Sequence, residues 1–80
     1  MKVDVIKIRS STEQGPVKRV RGEMSRHVCI GEPILVQTPS GVFRTPVVNG
    51  IITGESDGIP YYTCRTGKDT YVVRWLDAYS

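Results

Sequence analysis

The chain is poor in the residues that usually carry chemistry. It has one histidine and two cysteines, with no Cys-x-x-Cys or His-x-x-x-His spacing. His27, Cys29 and Cys64 supply three donors where a structural zinc site takes four. His27 and Cys29 are two residues apart and would share a strand face, the arrangement of a thiolate–imidazolium pair. Nothing nearby orients the histidine, so no catalysis is expected. Glu55 and Asp57 share a polar loop and read as solvating groups rather than an acid–base pair. Gly50, Gly54 and Gly58 precede no helical pattern with a suitably placed lysine, which excludes a phosphate-cradling loop. No cofactor is expected.

Other absences bear on class and compartment. No stretch approaches the roughly 20 consecutive apolar residues of a membrane span. The segment Lys2-Val3-Asp4-Val5-Ile6-Lys7-Ile8 alternates charged and β-branched residues, unlike the apolar run of a secretory leader. A cytoplasmic protein is expected. Two cysteines are too few for a disulfide-stapled secreted scaffold, so reduced thiols are expected. A Cys29–Cys64 bridge would need Cα atoms within about 7 Å. Repeats, low-complexity segments and long amphipathic helical periodicity are all missing.

What is present is β signal within 80 residues, enough for a single domain over residues 1–80. Lys2 to Arg9 reads as a first strand, closed by the turn-forming run Ser10 to Pro16. Val17 to Arg21 reads as a short returning strand, and Gly22 to Arg26 is the one place for a helical turn. His27 to Ile30 is short and apolar. Ile34–Thr38 and Val42–Thr45 read as a hairpin around a three-residue loop, Pro39-Ser40-Gly41, with Gly41 left-handed. Pro46 to Thr53 reads as one bent strand in preference to two broken at Asn49-Gly50, and Gly54 to Gly58 as a loop.

The last hairpin is the most constrained. Pro60–Thr66 and Asp69–Leu76 flank Gly67-Lys68, a pair suited to a type II′ turn. Pairing Thr66 with Asp69 sets Cys64 opposite Tyr71, Tyr62 opposite Val73 and Pro60 opposite Trp75, all on a core face. The other face then carries Arg65 with Thr70, Thr63 with Val72 and Tyr61 with Arg74. A slip of one residue would bury arginine, so the pattern pins the register. The expected fold is all-β: a small SH3-like or OB-like partly open barrel of five to six short antiparallel strands.

The net charge is +3, unevenly spread. Lys18, Arg19, Arg21, Arg26 and His27 crowd one stretch, opposed there only by Glu23, which favours an anionic partner. Arg44, Arg65 and Arg74 with Tyr61 form a second candidate patch on the two hairpins.

The run Thr38-Pro39-Ser40-Gly41-Val42-Phe43-Arg44-Thr45-Pro46-Val47, with Thr63-Cys64-Arg65-Thr66-Gly67-Lys68-Asp69-Thr70-Tyr71-Val72-Val73, resembles a pattern in small, uncharacterised phage-encoded β-barrel proteins of SH3-like kind. The shared features are an arginine-threonine step before a proline-valine strand, and a threonine-arginine turn leading into a tyrosine-containing strand. Cys64 and Gly67-Lys68-Asp69 depart from that form. The resemblance spans the second half of the chain and implies a small barrel of viral accessory origin, in the host cytoplasm, without a named activity.

The expected function is a non-catalytic binding module that modulates a host protein through its basic surface. Lys18, Arg19, Arg21 and Arg26 are the first candidate contacts, and Arg44, Tyr61, Arg65 and Arg74 the second. One alternative is a single-stranded nucleic-acid binder, where cationic grooves and aromatic faces combine. Another is an oligomer sequestering an anionic nucleotide.

Overall fold

A computed structural model describes residues 1–8 and 18–76. Seven strands form one antiparallel sheet: β1 (Lys2–Ile8), β2 (Arg19–Glu23), β3 (Pro33–Thr38), β4 (Gly41–Val47), β5 (Gly50–Ser56), β6 (Ile59–Thr66) and β7 (Asp69–Trp75). Their order is β4-β3-β2-β1-β7-β6-β5, and the sheet does not close into a barrel. The expected five to six strands are therefore seven. Arg9, the turn-forming run Ser10–Pro16 and Val17 lie outside the described residues.

Local chemistry accounts for the elements. Val3 and Val5 alternate with Lys2, Asp4 and Ile6 in β1, and the two valines are fully buried. Gly67 (φ 75°) opens the β6–β7 turn, as a type II′ geometry requires, and the register of that hairpin is the expected one from Tyr61↔Arg74 to Thr66↔Asp69. Asp57 (φ 53°) and Gly58 (φ 79°) make a two-residue turn joining β5 to β6. Gly54, Glu55 and Ser56 are thus strand residues paired with Tyr61, Pro60 and Ile59, not part of a loop.

Three further expectations change. The Gly22–Arg26 segment has no helical turn, because Gly22 and Glu23 complete β2 and only Ser25-Arg26 bend. His27 to Ile30 is not a strand. The β3–β4 turn is Pro39-Ser40, since Gly41, at φ 133°, already pairs with Thr38. Thr38 holds it closed: its hydroxyl donates to the Gly41 carbonyl (2.7 Å) and accepts from Ser40 N (3.3 Å).

Pro46 to Thr53 divides into two strands at Val48-Asn49. Six antiparallel steps separate β4 from β5 in the sheet order, so both run in the same overall sense. The chain bends without reversing, and its halves pair with different strands. Val48 exchanges bonds with Gly31 and Glu32 (2.8 and 3.0 Å), while Asn49 N donates to Arg65 O (2.8 Å). The bent-strand reading had the direction right but missed the change of partner.

One face of the sheet makes the core: Val3, Val5, Ile34, Val36, Val48, Cys64, Tyr71, Val73 and Trp75, with Met24. Burying each valine or isoleucine contributes roughly 1.5–3 kcal/mol. Trp75 packs between Tyr62 (5.6 Å, edge-on) and His27 (5.1 Å). At the irregular β3–β4 register, the Thr45 hydroxyl accepts from Ile34 N (2.9 Å) and donates to Pro46 O (2.8 Å). Gly22 permits the sharp fold of β3 against β2. A Cβ there would stand 2.2 Å from the Gln37 carbonyl oxygen and 2.8 Å from Val36 Cγ1.

Candidate functional site

The opposite, outer face is organised by register. Across five strands one row runs Gly54–Tyr61–Arg74–Asp4–Arg21, each residue opposite the next. The adjacent row runs Ile52–Thr63–Val72–Ile6–Arg19, and a third holds Gly50–Arg65–Thr70–Ile8. Ile52, Val72 and Ile6, with Thr63 between the first two and Arg19 at the end, thus form a mainly apolar row between two rows that carry arginine. Ile52 is 66% exposed. Tyr61 stands beside Arg74 as the hairpin pattern demands, and its ring lies over Gly54, where a Cβ would come within 2.5 Å of it. An aromatic side chain covering a cross-strand glycine is a recurrent sheet device.

Asp4 organises the cationic end of this face. It is fully buried although it points outward, because arginines cover it. Arg19 Nε donates to both carboxylate oxygens (2.9 and 3.0 Å) and Arg19 Nη2 to Oδ2. Arg21 Nε approaches Oδ1 at 3.8 Å. The Arg19 hydrogen bonds hold the Asp4 carboxyl below its ordinary range against the opposing cost of burial, and the charges of Arg19, Arg21 and Arg74 add to the effect. The same contact raises Arg19. Bidentate pairing fixes the guanidinium plane, so Arg19 is held in place while Arg21 keeps 66% of its side chain exposed.

The basic stretch is therefore not opposed by Glu23 alone. Asp4 faces Arg19 and Arg21, and Glu32 pairs with Arg26 Nη2 at 2.7 Å. Lys18 sets its Nζ 5.1 Å above the Phe43 ring. Of the eight expected contact residues, Arg19, Arg21, Tyr61, Arg65 and Arg74 share the outer face. Arg44 sits on edge strand β4 opposite Leu35, at the other end of the sheet order from β6. Arg26 lies in the bend after β2.

Between β2 and the β3–β4 turn is an open hollow of about 550 Å3, bordered by Arg19, Arg21, Ser40, Val42 and Phe43. Asp4, the apolar stripe and this hollow were missed from sequence. The signal for Asp4 was a lone acid in a strand whose antiparallel neighbour alternates arginines.

Both cysteines are free. Cys29 is exposed, and Cys64 is buried, with burial pushing its thiol up to about 11. Because His27 and Cys29 are not in a strand, they share no strand face; Cys29 Sγ instead lies 3.6 Å from the His27 carbonyl oxygen.

Fold and face together define a small all-β antiparallel sheet protein with an arginine-bearing outer surface. No family model, curated protein or solved structure matches the chain.

Proposed function

We propose that this chain is a non-catalytic binding module that engages an acidic protein surface through its outer sheet face. The observation that carries the reading is the register: it sets exposed Ile52 and half-buried Val72 and Ile6 in one stripe, with Arg74 and Arg21 on one side and Arg65 on the other. Apolar area edged by arginine and tyrosine is the composition of protein-binding hot spots. Single-stranded nucleic-acid sites use several stacking aromatics, and among the described residues this face offers only Tyr61. Tyr62, Tyr71 and Trp75 belong to the core.

The finer reading of the fold is a partly open relative of the small SH3-like or OB-like barrels, supported by the bent β4–β5 passage between its edges. With the resemblance of the second half of the chain, it suggests an accessory protein of phage origin whose partner is a host protein.

The test compares wild type with an Arg65→Glu/Arg74→Glu variant. Each is used for affinity capture from host lysate at ~0.15 M salt, and the retained protein is then titrated in purified form. The reading expects one specific protein held by wild type and released by the variant. Steeply salt-dependent binding of an oligothymidylate, with no protein retained, would replace it with the nucleic-acid reading.

A further inference from the structure

The ladder between β2 and β3 stops after one pair, Glu23 opposite Gln37. Lys7 N donates to Lys18 O (3.0 Å), and Met1 and Met24 exchange bonds of 2.9 and 3.1 Å. The even-numbered residues along β2 thus direct their backbone groups to β1. By alternation, the N–H and C=O of Arg19 and Arg21 face the β3 side. In that register Arg21 would next meet Pro39, which has no N–H for the Arg21 carbonyl and already begins the turn. The strands part there, and the hollow of about 550 Å3 opens beside Arg19 and Arg21. Among the described residues no ladder partner reaches this stretch of β2.

We infer that this slot accepts an extended acidic segment of the partner as an added strand along β2. The inference rests on the binding reading above and specifies its geometry. Strand addition draws affinity from main-chain bonds and specificity from alternate side chains. Arg19 and Arg21 provide the main-chain groups on the β3 side. Arg19 and Arg21 border the slot against one carboxylate, Asp4, which is already covered by arginines. Carboxylates at alternate positions of the added strand meet these cations. Phe43, packed on the core side of the sheet, gives the intervening apolar side chains a wall.

The probe is an acetylated heptapeptide alternating glutamate with valine, compared with the same peptide N-methylated at every backbone nitrogen. The charge is equal, but the methylated form cannot donate main-chain bonds. With the full chain, the plain peptide should bind at least about tenfold tighter, as two lost hydrogen bonds imply. Amide exchange should slow at Arg19 and Arg21 in the complex. Val20, whose amide faces β1, is the internal control and should not change. Equal affinity of the two peptides, or binding without slowed exchange at Arg19 and Arg21, overturns strand addition and leaves the charged-face reading intact. Failure of the plain peptide to bind, or its displacement by a tighter-binding oligothymidylate, also overturns it. Affinity capture judges the broader reading independently.

Discussion

Replacing Asp4 with asparagine probes the electrostatics of the outer face. Asparagine keeps the shape and an acceptor for Arg19 but removes the charge that Arg19, Arg21 and Arg74 share. A hydrogen bond to a charged group contributes about 1.5–3 kcal/mol when shielded from water. Arg19 keeps 47% of its side chain in solvent, which discounts the pair towards the weak surface class. The expected loss near pH 7 is therefore about 1–2 kcal/mol, or a Tm drop of roughly 5–15 °C at this chain length. The sign with pH follows from the depressed Asp4 carboxyl. Its contribution is complete above the unfolded carboxyl's value and is lost as pH falls through the lower folded value. The gap between wild type and Asp4→Asn should be widest near neutrality and shrink as pH falls below the unfolded carboxyl's value of about 3.9. Urea denaturation followed by Trp75 fluorescence across this range measures it. A gap independent of pH, or a variant as stable as wild type near pH 7, would refute the reasoning.

Four further outcomes are expected. Gly22→Ala should destabilise by about 1–3 kcal/mol, because its Cβ meets a backbone oxygen that cannot swing aside. Gly54→Ala should cost less than Gly22→Ala, since the obstacle is the tip of the Tyr61 side chain; thermal melts rank the two. Iodoacetamide should label Cys29 in the native protein and reach Cys64 only on unfolding, given its burial and its thiol at about 11; mass spectrometry of native and urea-treated samples counts the adducts. Gly67→Ala should lose about 1 kcal/mol because φ there is 75°, read from chemical denaturation.

The β6–β7 hairpin was legible because its alternation is strict and one misregister would bury Arg65 and Arg74. The strand before it was not. Gly54-Glu55-Ser56 has the composition of a loop, and it becomes strand only through pairing with Ile59, Pro60 and Tyr61. Asp57-Gly58 carried as strong a hairpin signal as Asn49-Gly50; what separates them is whether the flanks find each other. Strand order was out of reach for a similar reason, since β1 lies between β2 and its distant partner β7. At the site, Tyr61 beside Arg74 followed from local alternation, and Arg65 shares their face. Arg26 and Arg44 lie apart from the other candidates because grouping in sequence does not fix a shared face. Asp4 required the β1–β2 pairing before its role beneath Arg19 and Arg21 could be read.

The partnership of β1 with β7 has a consequence for biosynthesis. Residues 2–8 leave the ribosome before the strands they pair with, yet one flank of that strand stays unzipped until residues 70–75 arrive. Such a long-range closure slows folding. Meanwhile the nascent chain displays the valine-rich stripe of β1, so cotranslational escort would matter more for this small protein than its size suggests.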